Sequence, residues 1–535
     1  MFLRRMVCDL SMLSKKEIIW LSALLLIFMS LRLFLLFDVL TDHDEFYTID
    51  VISRGWVDMH IFMSDDVHLP LFFYILKLVS IFVGVDHNIL RFVSIVFGAA
   101  GLFVFYLLLR KFFPVGTSLI GLALLGVSVF HVSYSQILRM YSLLFFATCL
   151  ALYFFILLLK KGLVPNYIIG FILSCISLMY THFYGSLVVF FLTFLICYEF
   201  VLRKKSSKVT KKRLLGMIFG LVLSSIPFIL FMLYQVYRKV IGSSYGNWME
   251  PTHYSAFFAI FSSLSGSYIL MPLLLLLYVY GLYVAIKKKH RLMIYVGALG
   301  LFLIFFPMLI SIHITPIFAI RYFIVALPSA IILSVYGFLA FKEKYSVLAL
   351  VLIASSVYNK SIYAAAFETR LTFILVSSML IVLCWLFIPR LNFPQVRNII
   401  IVLILFFLCL STYVYFGERM RLHHDADSCL VNAQSYLASV EEGLFFTPRW
   451  LNFWAENHRP TPHGHEYYLS RFGITGELVN TRTLMNLSDN FYIISPPTFE
   501  ETYDLYFTIP NHVENKILQC AGVDLRYYEY VGRAE

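Results

Sequence analysis

The sequence predicts a mainly α protein, a polytopic membrane helix bundle of about thirteen spans followed by a small α/β domain. Two observations carry this. Hydrophobic residues make up 60% of the 535 and charged residues 14%, with a mean hydropathy of +0.81, a composition no soluble domain of that length sustains. The apolar residues also fall in repeated runs of spanning length, with short basic loops between them.

The runs lie at 17–38, 89–109, 115–132, 141–159, 166–181, 184–202, 214–234, 268–286, 292–311, 322–341, 345–363, 371–388 and 398–416. The first follows Arg4, Arg5, Lys15 and Lys16. It is longer than a signal-peptide core and lacks a small-residue cleavage site, so it reads as a retained span. One further run, "HLPLFFYILKLVSIFVG" at 68–84, is short and carries Lys77 at its centre. If it does not cross, 23 basic residues gather on one side of the membrane and nine on the other. If it does cross, the later basic clusters face the side opposite the N-terminal one, against the positive-inside rule. It is therefore read as an interfacial or re-entrant helix. On that map the N-terminus is cytoplasmic, and the loops near residues 41–67, 139 and 321 are extracytoplasmic, as is everything after about 417.

Residues 1–416 thus form a membrane domain and 417–535 an extracytoplasmic one. The tail differs in kind, with nine Lys/Arg against 16 Asp/Glu. It holds strand-like runs such as "GLFFTP", "NFYIISPP" and "YYEYVG". Its cysteines are Cys429 and Cys520, and an extracytoplasmic location permits a disulfide without requiring one. The net charge of +11 does not point to nucleic acid, because the basic residues sit in loops between spans rather than on a solvated face.

Three charged constellations share the extracytoplasmic side. The loop 39–67 holds Asp42, Asp44, Glu45, Asp50, Arg54, Asp58, Asp65 and Asp66, interleaved with Phe46, Tyr47, Ile49, Val51, Ile52 and Trp56. It can be a solvated loop. It can equally fold onto the membrane as amphipathic helices that hold a carboxylate in a partly desolvated cleft, fit to deprotonate a hydroxyl. "YSQILRMYSL" at 134–143 places Arg139 beside Tyr141 between two apolar runs, and "ITPIFAIRYFIVALP" at 314–328 repeats the arrangement with Arg321 and Tyr322. Each arginine can snorkel to the surface or grip a phosphate. "MYTHFYGS" sets His182 at a helix hairpin, as a substrate contact or a polar cap. Arg32, near the end of the first span, can pair with an acid or snorkel. His458, His463, His465 and Glu466 match no common zinc spacing. No Walker loop is present, which points away from soluble nucleotides.

Four motifs in order resemble the GT-C superfamily of polyprenyl-phosphate-sugar-dependent glycosyltransferases, in the branch of the protein O-mannosyltransferases and lipid A aminoarabinose transferases. They are Asp44-Glu45 after the first span, "DVHLPLFFY" at 66–74, "SQILRMYSL" at 135–143 and "IRYF" at 320–323. The match departs from the family at Leu69, where a proline is usual, and at Ile137, where an acid is frequent. The resemblance implies juxtamembrane helices in the first extracytoplasmic loop, Asp44 as general base with Glu45 beside it, and Arg139 and Arg321 on the donor phosphate. Tyr141, Tyr322, His68, His182, Asp66 and Arg54 are the further candidate substrate contacts.

The expected activity is transfer of a sugar from a polyprenyl phosphate to a hydroxyl on a glycolipid, polysaccharide or protein, with inversion. The expected partners are that donor, the acceptor and the bilayer. The expected location is the plasma membrane, or the endoplasmic reticulum in a eukaryote. No cofactor is required, since the arginines supply positive charge; the carboxylates at 42–66 would also suit Mg²⁺ or Mn²⁺. The alternatives are a ligase or polymerase using a pyrophosphate-linked glycan, and a lipid or solute transporter, which would place charges at mid-membrane in paired halves.

Overall fold

The computed structural model describes residues 13–36, 43–64, 68–203, 207–240, 252–266, 269–341 and 400–416, and five strands beyond them. The expected spans at 345–363 and 371–388 lie outside the described residues, as do Arg4, Arg5, Asp42, Asp65, Asp66, Cys429, His458, His463 and His465. The chain divides into two compact units. One comprises residues up to 34, 63–83 and 88–414; the other comprises 35–62, 84–87 and 415 onward.

The first unit is a helix bundle. Its elements are α1 (Lys15–Leu33), α4 (Leu71–Val83), α5 (His87–Leu109), α6 (Val115–Gly126), α7 (Val129–Gln136), α8 (Tyr141–Lys161), α9 (Pro165–Thr181) and α10 (Phe183–Cys197). A π-turn (Tyr198–Arg203) closes α10. Then come α11 (Lys208–Val240), α12 (Ala256–Ser265), α13 (Met271–Lys287), α14 (Arg291–His313), a 3₁₀ segment (Ile320–Ala326), α15 (Leu327–Ala340) and α16 (Ile400–Phe416).

Among the described residues six helices are long and apolar enough to cross a membrane, and seven if α6 and α7 make one broken span. That pair is bent by 58°, so the run expected as one span over 115–132 breaks at Val127–Ser128. At 17 residues, α9 and α13 sit at the lower limit of spanning length. α4 has 13 residues and rises about 20 Å, short of the roughly 30 Å hydrocarbon core. It buries Phe72, Phe73 and Leu76 and exposes Ile81 and Phe82, the pattern of a helix lying along a surface.

Helix α8 is the core of the bundle, with buried residues from Tyr141 to Leu158. Where helices cross closely, glycine makes room. A Cβ on Gly337 of α15 would stand 2.1 Å from the Leu277 carbonyl oxygen of α13, and one on Gly281 of α13 would stand 2.4 Å from the Leu333 oxygen. Such reciprocal small-residue contacts are how helices pack without help from the hydrophobic effect.

Buried charge is satisfied locally. Glu17, 3% exposed, accepts from the Tyr106 hydroxyl at 2.5 Å and Arg110 Nε at 2.8 Å. Arg32 neither snorkels nor meets an acid, as its place near a span end suggested. It is fully buried, donating to the carbonyls of Phe28 and Gly126 at 2.8 and 3.1 Å and to His131 Nδ1 at 2.7 Å. The Gly126 carbonyl is free to accept because Gly126 ends α6 at the break. His131 must therefore be neutral there, with its proton on Nε2.

In the second unit, α2 (His43–Ser53) and α3 (Trp56–Ser64), the latter ending just beyond the unit's bounds, fill the first loop. Five strands occur after residue 416: β1 (Leu444–Thr447), β2 (Glu477–Leu478), β3 (Phe491–Ser495), β4 (His512–Cys520) and β5 (Val523–Tyr530). They form one mixed sheet in the order β2-β1-β3-β5-β4, parallel around β1 and antiparallel from β3 through β5 to β4.

Candidate active site

The bundle brings four basic side chains to one end. Arg139 follows α7 in the short connection to α8, His182 separates α9 from α10, and Arg321 opens the 3₁₀ segment after α14. His68 precedes α4. Arg139 is 1% exposed; its Nη2 donates to His68 Nε2 at 2.5 Å, and its carbonyl accepts from the Ser94 hydroxyl at 3.4 Å. A donated bond at Nε2 leaves the proton of a neutral His68 on Nδ1.

Tight connections fix these groups. His182 caps α10, its Nδ1 accepting from the Tyr184 amide at 3.2 Å. The turn is possible because residue 185 is glycine, where a Cβ would lie 2.3 Å from the Leu178 carbonyl oxygen. The cap places the His182 proton on Nε2. Burial, with His68, Arg139 and Arg321 nearby, pushes its pKa down from 6.5 to about 3, so the ring is a neutral donor at physiological pH.

Aromatic rings line the same end. Tyr322 packs 4.4 Å from His182, 5.2 Å from Tyr184 and 6.3 Å from Tyr141, centroid to centroid. The Arg321 guanidinium lies 5.9 Å from the Tyr141 ring and 5.8 Å from its own neighbour Tyr322. The Tyr184 hydroxyl donates to the Ile317 carbonyl at 3.1 Å, tying α10 to the strand-like approach to Arg321. Two guanidiniums and one neutral imidazole N–H over aromatic faces suit a phosphate monoester and a sugar ring.

The carboxylates belong to the second unit. Asp44 and Glu45 stand in the first turn of α2, and Glu45 is fully buried. The Asp44 carbonyl accepts from the Thr48 hydroxyl at 2.9 Å. Asp50 is not the solvated acid its surroundings in the sequence suggested: it is 5% exposed and pairs with Arg54 at 2.8 Å. Arg54 also stacks on Phe62 at 4.0 Å, so its visible role is to hold α2 against α3. Among the described residues no three His, Cys, Asp or Glu side chains gather as a metal site.

Of the candidate contacts, His68, Arg139, Tyr141, His182, Arg321 and Tyr322 thus meet in the bundle. Tyr184, noted in the sequence only as a neighbour of His182, is part of the same wall. A second buried polar cluster, Glu199 with Arg203, Arg291 and Tyr295, escaped the sequence reading. The signal was present as an acid in an otherwise apolar run.

Residues 67–231 match the sequence pattern of the dolichyl-phosphate-mannose-protein mannosyltransferase family. No curated protein matches the chain. Among solved structures, apo ArnT from Cupriavidus metallidurans superposes with a TM-score of 0.52 at 12% identity, over 95% of this chain and 98% of that one. ArnT from the same organism bound to undecaprenyl phosphate gives 0.51 at 13%, over 96% and 98%. With the helix order, the short α4 and the arginine-bearing connections already described, the likeness to the ArnT structures shows that the chain has their fold, that of the GT-C membrane glycosyltransferases.

Proposed function

We propose that the chain is an integral-membrane glycosyltransferase that moves a sugar from a polyprenyl-phosphate donor to a hydroxyl acceptor at the extracytoplasmic face, with inversion. The observation that carries this reading is the convergence of Arg139, Arg321 and the neutral His182 at one end of the bundle. The likeness to a fold seen with undecaprenyl phosphate bound supports the same donor class, as does the matched mannosyltransferase pattern.

The chemistry follows from charge. Asp44 removes the proton of the acceptor hydroxyl, and the oxygen attacks C1 of the sugar from the face opposite the phosphate. The bond from C1 to the phosphate oxygen breaks, and the electron pair leaves with the polyprenyl phosphate. Its additional negative charge falls where Arg139, Arg321 and the His182 Nε2–H donate, so these groups stabilise the transition state more than the ground state. His68 holds Arg139 from behind, Glu45 supports Asp44, and Tyr141 and Tyr322 offer rings for the sugar. Asp66, outside the described residues, is kept as an acceptor contact, and Arg54 positions α2. The site works without metal, Arg139 and Arg321 being its counter-charges. The strands after 417 form an extracytoplasmic domain that helps choose the acceptor.

Purified protein offered monophosphate-linked and pyrophosphate-linked sugars tests the reading. Turnover with the monophosphate donor supports it. Turnover with the pyrophosphate donor alone would replace it with a glycan ligase.

A further inference from the structure

The helices that carry the arginine site also build a pocket at their other ends. α8 runs from Tyr141 at the site to Lys161 over 21 residues, or roughly 30 Å, the depth of a hydrocarbon core. There the end of α8, the π-turn after α10 and the start of α14 border an open space of about 380 Å³, lined by Lys160, Glu199, His290, Arg291 and Tyr295 with two leucines, and Lys160, His290 and Arg291 are exposed in it.

The polar groups in it are organised as donors. Glu199, 2% exposed, is already saturated: Oε1 accepts from Arg203 Nη1 at 2.9 Å and from the Tyr295 hydroxyl, and Oε2 from Arg291 Nη1 at 3.2 Å. One carboxylate thus meets two arginines, and Lys160 adds a further cation. The Lys160 ammonium donates to the Lys111 carbonyl at 2.6 Å and has no carboxylate partner among the described residues. His290 accepts from the Met293 amide through Nδ1 at 3.3 Å, which turns an N–H outward at Nε2. Lys289 beside it holds φ at +53°, an uncommon conformation for a lysine. The widened π-turn that points Glu199 inward is itself a form found often at functional sites.

We infer that this pocket binds a phosphate ester, with Lys160, Arg291 and the His290 Nε2–H as donors. Its depth in the bundle puts it at the level of lipid head groups in the leaflet opposite the arginine site, where basic pockets between spans take anionic lipids. The inference does not depend on the transferase reading.

The full chain in phosphatidylcholine nanodiscs, with and without phosphatidylglycerol, provides the test, with glycerol 3-phosphate added to detergent-solubilised protein as a separate arm. Phosphatidylglycerol is expected to raise the unfolding midpoint by about 2–4 °C in the wild type and in Lys161→Gln, and not in Lys160→Gln. Native mass spectrometry of the same samples, which reads bound lipid directly, should find one more retained phosphatidylglycerol in the wild type than in Lys160→Gln. A rise with glycerol 3-phosphate that requires Lys160 supports the pocket and assigns it to a soluble ester. The inference is overturned if neither ligand raises the midpoint, or if the rise and the bound lipid are unchanged in Lys160→Gln.

Discussion

In the proposed reaction Arg139 and His182 divide the handling of charge between them. Arg139 carries a permanent charge and is braced by His68. His182 donates without carrying charge, because its pKa falls to about 3. Replacing Arg139 with Gln should lower kcat by about 10²–10³, the usual cost of one donor to a developing anion, with a smaller change in KM for the donor. His182 also sets a stability trend. Between about pH 6.5 and pH 3 the unfolded chain binds its proton and the folded chain does not, so stability rises with pH there and is lost on acidification. The slope from this group is about 1.4 kcal/mol per pH unit. Thermal unfolding of wild type and His182→Asn across that window should show the wild type with the steeper acid loss; parallel curves would remove His182 from the account. These roles are only half legible in the sequence. The arginines announce themselves as charges among apolar residues, whereas the tautomer of His182 depends on a capping bond that no spacing encodes.

At the scale of elements, the close crossings are the vulnerable points. Gly337→Leu would force a side chain into the Leu277 carbonyl, and Gly185→Ala would collide with the Leu178 carbonyl. Both should reduce the yield of folded protein in detergent, by size-exclusion profile. Gly185→Ala should further weaken donor binding in whatever protein survives, because it shifts the turn that presents His182. Helix α4 was read as a non-crossing segment from Lys77 and the charge map together, and its 13 residues are fewer than the roughly 20 of a span. The break between α6 and α7 was not legible. The apolar run continues through Val127 and Ser128, and the bend comes from tertiary bonds: Arg32 takes the Gly126 carbonyl and Gln136 donates to the Arg32 and Phe34 carbonyls at 3.0 and 2.9 Å. A run of hydrophobicity states how much chain is buried, and it does not state where buried polar groups pull the chain aside.

For the molecule as a whole, the basic residues and the arginine site occupy opposite ends of the same helices, as α8, α10 and α14 each show. Charge asymmetry sums over many loops, which is why a membrane map can be proposed from the sequence. The acceptor could not, since it depends on surfaces assembled from distant segments. The account's central claim is that the end of the bundle bearing Arg139 and Arg321 releases a polyprenyl phosphate while Asp44 activates the acceptor. The most direct measurement is transfer of a labelled sugar from a polyprenyl-phosphate donor by membranes holding wild type, Asp44→Asn or Arg139→Gln at equal folded abundance. The account predicts transfer by the wild type, a loss of about 10²–10⁴ in Asp44→Asn and of about 10²–10³ in Arg139→Gln. Undiminished transfer by Asp44→Asn would contradict it.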